Sequence, residues 1–158
     1  MAPKVAGSMA ALDVATGSGR HAWMLAISGF RTFAVDRNVD LLREIKARAP
    51  SEGLALTLWA ADLERTVLPA SHFDLLVCTR YLQRNLFPAL RDAIKPGGIV
   101  LYETFTVSQR QHGTGPRSPD HLLEPLELRG IFSGWTELEY EEVDEPEALA
   151  RLAAQKPN

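Results

Sequence analysis

The chain has a single cysteine among its 158 residues, which excludes an internal disulfide. Cys78 lies in an apolar run and is expected to be buried as a small hydrophobic residue. Such low cysteine content is typical of cytosolic proteins. No apolar run approaches the roughly 20 residues of a transmembrane helix, and residues 1–9 lack the apolar stretch of a signal peptide. The sequence therefore predicts a cytoplasmic protein with no membrane association.

Basic residues are not concentrated in any part of the chain, whose formal net charge is −3. A nucleic-acid-binding surface needs clustered lysine and arginine, so no nucleic acid partner is expected. The four histidines show no metal-ligand spacing, and no Ser-His-Asp set is evident. We therefore expect a partner that is a small molecule, and no metal.

The composition, with 46% hydrophobic and 23% charged residues, is that of a globular domain, and the length suits a single domain over 1–158. Short apolar segments alternate with amphipathic helical segments along the chain. The predicted strands are 9–14, 31–36, 54–60, 73–79 and 99–103, and the predicted helices are 20–28, 39–49, 87–95 and 119–132. Pro50 is expected to end the second helix.

The C-terminal segments 135–143 and 148–155 are predicted to form an antiparallel pair, although the second has equal helix propensity. Strands separated by helices imply parallel pairing with right-handed crossovers. The sequence thus predicts an α/β fold with a Rossmann-like doubly wound sheet. The sheet should be mostly parallel with a C-terminal antiparallel strand, and helices should cover both faces.

Glycines and a carboxylate mark the ends of the first two predicted strands. Gly17 and Gly19 follow the first strand, where glycine lets the backbone turn tightly beside a ligand. Asp36 ends the second strand, where a carboxylate can accept the hydroxyl protons of a ribose. The segment 17–22 also matches a dinucleotide-binding fingerprint. These two strand ends alone therefore leave a nicotinamide-dependent oxidoreductase open.

Two further landmarks follow in order, Ala61-Asp62-Leu63 after the third strand and Pro96-Gly97-Gly98 before the fifth. With them the chain resembles the class I S-adenosylmethionine-dependent methyltransferases over roughly residues 9–145. The first motif of that family corresponds to residues 12–19. Ala15 departs from the pattern, because many members have glycine there.

The resemblance implies S-adenosylmethionine as the cofactor and a role for each matched residue. The glycines approach the methionine part, and Asp13 holds their loop or the α-amino group. Asp36 binds the ribose, Asp62 accepts from the adenine amino group, and Leu63 packs near the ring. Thr79 offers a backbone contact to the amino-acid end. The predicted cofactor-binding residues are Asp13, Ala15, Gly17, Gly19, Asp36, Arg37, Ala61, Asp62, Leu63 and Thr79.

Two further segments, Tyr81-Leu82-Gln83-Arg84 and Glu103-Thr104-Phe105, are similar to a tellurite-resistance-like subgroup, which implies a small or inorganic methyl acceptor. Both leave carboxyl strand ends, where ligands bind in open parallel sheets. The predicted substrate-binding residues are Tyr81, Arg84, Glu103 and His112. No catalytic residue is assigned, because transfer from a sulfonium chiefly requires the acceptor to be positioned and water to be excluded.

The first predicted strand begins near residue 9, whereas many relatives place helices over the acceptor pocket before that strand. The polar segment over 105–118 is therefore expected to be mobile and to close over the acceptor. The same feature motivates an alternative function, in which the fold binds the cofactor without catalysis, as a sensor or as a subunit of a larger enzyme.

Overall fold

The computed structural model of the protein describes residues 9–54 and 56–158, apart from the side chains of residues 49–52. The predictions for residues 1–8 and for residue 55 lie outside this part. The seven strands are β1 (Ala10–Val14), β2 (Arg31–Asp36), β3 (Leu56–Ala60), β4 (Phe73–Thr79), β5 (Ile94–Phe105), β6 (Thr136–Val143) and β7 (Leu149–Gln155). The α-helices are α1 (Arg20–Ile27), α2 (Val39–Glu52), α3 (Phe87–Ala93) and α4 (Glu127–Ile131).

The strands form one sheet in the order β3-β2-β1-β4-β5-β7-β6. Strands β1 to β5 are parallel, and β7 runs antiparallel between β5 and β6. The predicted fold is confirmed. The last segment is a strand despite its helix propensity because it pairs on both sides, with Leu152 opposite Tyr102 of β5 and Tyr140 of β6. Strand order reverses between β1 and β4, which is where open parallel sheets bind ligands.

Helices pack on both faces of the sheet, and each face has its own cluster of buried apolar residues. The larger cluster joins α3 and α4 to the strands, and its residues include Leu12, Leu76, Phe87, Leu90 and Leu128. The smaller cluster joins α1 to the opposite face through Ala11, Leu25 and Val77. Burial of these apolar surfaces is the main favourable contribution to folding.

The predicted helix over 119–132 is wrong. The structure has a 3₁₀ helix at Pro119–His121, then an extended segment, and only then α4. The Leu123 N–H donates to the Phe105 carbonyl at 2.9 Å, so this segment pairs with the end of β5. Pro125 also lacks the N–H that a continuous helix would need. Pairing between distant backbone groups therefore replaces local helical hydrogen bonds.

The ends of two other elements differ from the prediction. Helix α2 continues through Pro50 to Glu52 and is followed by Gly53, which has a φ of 65°. A proline in the last turn removes only one helical hydrogen bond, and a left-handed glycine is the usual residue after a helix end. Strand β5 begins at Ile94 rather than Ile99, because Ile94 pairs with Phe73 of β4, and α3 ends correspondingly earlier.

The segment over 105–118 is more structured than its polar composition predicts. It contains a 3₁₀ helix at Val107–Gln111, and the Gln109 side chain is 1% exposed. The Gln109 amide donates to the Thr114 carbonyl at 2.9 Å and accepts from the Ala148 N–H at 2.7 Å. A buried amide with both ends hydrogen-bonded ties this segment to the beginning of β7.

Cys78 is fully buried, as predicted, and burial raises the pKa of its thiol to about 12. Across residues 9–54 and 56–158, no group of three His, Cys, Asp or Glu side chains could hold a metal ion. No helix in that same part of the chain is long and apolar enough to cross a membrane.

The two glycines after β1 meet different surroundings. Both have positive φ, 55° at Gly17 and 82° at Gly19. A Cβ atom at Gly19 would lie 2.7 Å from Cδ1 of Ile45, a fully buried residue of α2. A Cβ atom at Gly17 would have nothing within 4 Å. A side chain at Gly19 would therefore have to displace the buried Ile45 side chain of α2, whereas the space beside Gly17 is open.

We expect the Gly19→Ala variant to be destabilised more than the Gly17→Ala variant. In both variants alanine has to adopt a left-handed backbone, which lowers the free energy of unfolding by about 1–2 kcal/mol. Gly19→Ala also crowds the Ile45 side chain, which costs about 1–3 kcal/mol more. Urea-unfolding midpoints of the two matched variants measure the difference. Equal destabilisation would show that packing against α2 does not determine the residue at Gly19.

Candidate functional site

A cavity of about 320 Å³ lies at the carboxyl ends of β1 to β4, where strand order reverses. It brings together seven residues predicted from the sequence, which are Ala15, Asp36, Arg37, Ala61, Asp62, Leu63 and Tyr81. Four lining residues were not predicted, namely Glu64, Leu82, Gln83 and His121. The first two adjoin predicted residues. Gln83 belongs to the segment Tyr81-Leu82-Gln83-Arg84 that the sequence analysis singled out. His121 was missed because the sequence predicted a helix over 119–132.

Asp36 ends β2 and joins two strand ends at the cavity. One carboxylate oxygen accepts from the Gly17 N–H at 2.8 Å, and the other accepts from the Asn38 N–H at 2.8 Å. An ionised carboxylate can accept about four hydrogen bonds, so about two positions remain for a ligand. The Asp36 side chain is therefore held in one orientation while it can still accept hydroxyl protons.

Asp13 is 1% exposed and does not line the cavity. Its carboxylate accepts from the Thr16 hydroxyl at 2.6 Å and from the Ala22 N–H at 3.0 Å. Burial raises its pKa, and the Thr16 hydrogen bond opposes that rise. Of its two predicted roles, the structure shows the first, in which Asp13 holds the turn between β1 and α1.

The backbone at the end of β1 has a conformation that favours glycine at the position of Ala15. Ala15 has a φ of 54°, in the left-handed region that glycine adopts without strain. Val14 is the last residue of β1 that pairs with β4, opposite Cys78. Thr79, Gly17 and Gly19 are not among the residues that line the 320 Å³ cavity.

Asp62 lies on the turn after β3 and is exposed. One of its carboxylate oxygens accepts from the Glu64 N–H at 3.0 Å, a local turn of the kind that aspartate favours. The other oxygen is available to a ligand, since only this side-chain contact is found among the described residues. The Ala61 N–H donates to the Asp36 carbonyl at 3.0 Å and links this turn to the end of β2.

Tyr81 follows β4 and is half-buried. Its carbonyl accepts from the Tyr102 hydroxyl at 2.6 Å, and its own hydroxyl is hydrogen-bonded to the Gln83 side chain. The Gln83 amide in turn donates to the Leu63 carbonyl at 3.2 Å. Burial raises the pKa of Tyr81. Tyr81 is thus fixed at its backbone and at its hydroxyl, on the wall of the cavity.

Arg84, a predicted substrate-binding residue, is part of an ion pair away from the cavity lining. Its guanidinium contacts the Glu127 carboxylate at 2.6 and 3.0 Å and donates to the carbonyls of Pro119 and Leu122 at 3.1 and 2.8 Å. The pairing lowers the pKa of Glu127. Arg84 therefore holds the 119–122 segment against the chain that follows β4, which places His121 at the cavity.

Glu103 and His112, also predicted for the substrate, do not line this cavity. The Glu103 carboxylate accepts from Arg151 at 2.6 Å. His112 ends the 3₁₀ helix at Val107–Gln111. Of the four predicted substrate-binding residues, the structure places only Tyr81 at the 320 Å³ cavity.

A second cavity of about 310 Å³ lies on the α1 face of the sheet, and the sequence did not predict it. Its apolar wall is formed by α1 and the middle of the strands, and includes Met24, Leu25, Val77, Leu101 and Ala153. Polar residues also line it, among them His21, Thr79, Glu103 and Arg151. Thr79 and Glu103 therefore border this second cavity instead of the first.

The chain is similar in sequence to known proteins over the region that contains β1 to β4. The model of a family described as a methyltransferase domain matches residues 11–98. The protein-L-isoaspartate O-methyltransferase of Paramagnetospirillum magneticum is 36% identical over 99 residues, which are 62% of this chain and 46% of that protein. The chain thus spans less than half the length of this curated relative.

Solved structures share the fold at low sequence identity. TehB from Haemophilus influenzae superposes with a TM-score of 0.81 at 20% identity, covering 94% of this chain and 58% of TehB. An S-adenosylmethionine-dependent methyltransferase from Mesorhizobium loti gives a TM-score of 0.78 at 20% identity, covering 98% of this chain and 94% of that one.

The residues at the first cavity fit the cofactor of these proteins. Asp36 offers acceptor positions to a ribose diol, Asp62 offers one to an adenine amino group, and the space beside Gly17 is open. The family match covers more than half of the chain. The chain belongs to the methyltransferase domain family.

Proposed function

We propose that this chain binds S-adenosylmethionine in the cavity at the carboxyl ends of β1 to β4 and transfers its methyl group to a small molecule. The observation that carries the proposal is Asp36, whose carboxylate faces the cavity with acceptor positions left over and is fixed by the Gly17 N–H at 2.8 Å. A carboxylate fixed at this place suits a ribose diol.

The other lining residues extend this assignment along the cofactor. Asp62 accepts from the adenine amino group, with Ala61 and Leu63 against the ring. The amino-acid end passes Ala15 toward the end of β4. Arg37 adjoins Asp36 at the exposed rim. Gly19 contributes by packing α2 against the turn.

When bound, the cofactor supplies a methyl group already activated by the positive sulfur. The chain then has to orient the acceptor and keep water from the reacting atoms. Tyr81 and Gln83 line the cavity wall after β4 and are our candidates for contact with the bound cofactor or with an acceptor. His121, held there through Arg84, adds a polar group from the 119–122 segment.

A second candidate function is binding of the cofactor without catalysis. It is favoured by the pairing of Arg84 with Glu127 and of Glu103 with Arg151, which withdraws two predicted substrate-binding groups from the cavity. A subunit of a larger enzyme would receive its acceptor groups from a partner. The family match decides against the nicotinamide-dependent oxidoreductase.

Binding and turnover separate these functions. S-adenosylmethionine and S-adenosylhomocysteine should each raise the melting temperature, because a ligand at a hundredfold excess over its Kd stabilises the native state by about 2.7 kcal/mol. NAD and NADP serve as controls and should cause no shift. A shift with the nicotinamide compounds alone would contradict the proposal. Binding of labelled cofactor without methyl transfer to any small thiol, amine or alcohol would favour the binding module.

Replacing Asp36 with Ala should weaken the binding of S-adenosylhomocysteine by about 1.5–3 kcal/mol, the worth of hydrogen bonds to a charged group. The Asp40→Ala variant is the matched control, since Asp40 is an exposed acid at the beginning of α2. Calorimetric titration of both variants measures the change. Unaltered affinity in Asp36→Ala, with loss of stability alone, would show that Asp36 serves only to hold Gly17 and Asn38.

A further inference from the structure

Helices cover the α1 face of the sheet over only part of its width. Helix α1 packs on β1 and β2, and α2 packs on β3, whereas α3 and α4 pack on β5 and β7 from the opposite face. Among the described residues, the four α-helices make their main contacts there, and none covers β5, β7 and β6 on the α1 face. Leu101 in the middle of β5 is 39% exposed, although strands of this kind of sheet are normally covered on both faces.

The strand register arranges the uncovered surface in rows that run across the sheet. From β4 to β6, the middle row consists of Val77, Leu101, Ala153 and Glu139. The next row, at the carboxyl ends of β4 and β5, consists of Thr79, Glu103, Arg151 and Glu141. Together with the 310 Å³ cavity beside α1, these rows form a groove between α1 and β6. The floor of the groove is apolar in the middle and charged at the carboxyl ends of the parallel strands.

The charged end of the groove carries more negative than positive charge. Arg151 contacts the Glu103 carboxylate at 2.6 Å and the Glu141 carboxylate at 2.7 Å, so one guanidinium meets two acids. Glu139 adds a third carboxylate, and its side chain has no hydrogen bond or ion pair within the part of the chain that the structure describes. With His21 neutral, three carboxylates against one guanidinium leave an excess of two negative charges. This end of the groove therefore attracts a cation.

The outward side of α1 carries a ridge that is complementary to this groove. Arg20, Met24 and Ile27 are spaced i, i+4 and i+7, so they lie along one side of the helix. Met24 and Ile27 are each 61% exposed, whereas Leu25 is buried against the sheet. Arg20 is exposed and meets no carboxylate among the described residues, its one contact being the His21 ring at 3.3 Å. The ridge is thus positive at its N-terminal end and apolar beyond it.

The ridge and the groove change from charged to apolar in the same direction. Helix α1 connects the carboxyl end of β1 to the amino end of β2, so Arg20 lies at the carboxyl ends of these parallel strands. The acids of the groove lie at the same ends, and Leu75 and Ile99 continue its apolar floor toward the amino ends. A two-fold axis parallel to the strands keeps positions along the strands while it turns the face over. Such an axis brings the basic end of one ridge to the acidic end of the other groove.

The strand spacing leaves room for one helix in the groove. Neighbouring strands lie about 4.8 Å apart, so the three spacings from β4 to β6 span about 14 Å. A helix is about 10–12 Å across with its side chains. One helix therefore fills the surface beside α1, and a second copy of α1 is such a helix.

We propose that the groove between α1 and β6 is a dimerisation surface, which α1 of a second copy of the chain occupies. Each copy supplies one ridge and one groove, so the interface is two-fold symmetric and closes on itself. Met24 and Ile27 of one copy cover Leu101 of the other, and Arg20 approaches Glu139 at the acidic end. The two α1 helices then lie side by side between the two sheets. This arrangement does not depend on the ligand of the first cavity.

Sedimentation equilibrium of the full chain, from micromolar to near-millimolar concentration, tests the proposal. The original chain should show a reversible equilibrium between monomer and dimer. Met24→Glu should abolish the dimer, because it buries a carboxylate against Leu101 without a partner. Val67→Glu is the matched control, since Val67 is an exposed apolar residue between β3 and β4 that does not line the groove, and it should leave the dimer unchanged. Circular dichroism checks that each variant is folded.

A charge exchange tests the direction in which the ridge lies in the groove. Arg20→Glu should raise the Kd of the dimer by about tenfold, because each dimer contains this contact twice and a surface ion pair contributes modestly. Glu139→Arg should also raise the Kd. The double variant Arg20→Glu/Glu139→Arg should dimerise more tightly than either single variant, since the two opposite charges are exchanged and attract again.

Three results would overturn the proposal. A single monomeric species up to near-millimolar protein would mean that a second copy does not occupy the groove. A dimer that withstands Met24→Glu would use a different surface. A double charge variant that dimerises no better than the single variants would contradict the approach of Arg20 to Glu139 and the axis parallel to the strands.

Discussion

The hydrogen bond from the Gly17 N–H to the Asp36 carboxylate, 2.8 Å long, joins the ends of the two strands that form the first half of the cavity. A hydrogen bond to an ionised carboxylate contributes about 1.5–3 kcal/mol, enough to keep the side chain in one orientation. It fixes the turn after β1 relative to the end of β2. The open space beside Gly17 and the remaining acceptor positions on Asp36 therefore face the same cavity.

Asp13 and Asp36 lie near the ends of neighbouring strands and differ in what their carboxylates bind. Asp13 is buried and uses its carboxylate for Thr16 and the beginning of α1, so the turn keeps its shape without a ligand. Asp36 lies at the surface of the cavity and holds the same turn from the other side while it can still accept. The rigid part of the site is thus built before any cofactor arrives, which reduces the cost of ordering on binding.

The sequence predicted the sheet and most of the first cavity because topology alone brings the carboxyl ends of β1, β2, β3 and β4 together. Asp36 and Asp62 end neighbouring parallel strands, so their proximity follows from the alternation of strands and helices. Side-chain partners across long separations could not be predicted in this way. Arg84 pairs with Glu127, 43 residues away, and Arg151 with Glu103, 48 residues away. Those pairings remove Arg84 and Glu103 from the first cavity, and no local pattern in the sequence signals them.

The central claim is that the cofactor occupies the polar cavity at the carboxyl ends of β1 to β4 and not the apolar cavity on the α1 face. Backbone amide shifts in ¹⁵N-labelled protein, recorded during titration with S-adenosylhomocysteine, test this most directly. The account predicts the largest changes at Gly17, Asp62 and Leu63, with little change at Leu101 and Ala153. Changes concentrated at Leu101 and Ala153, with Gly17 and Asp62 unmoved, would contradict it.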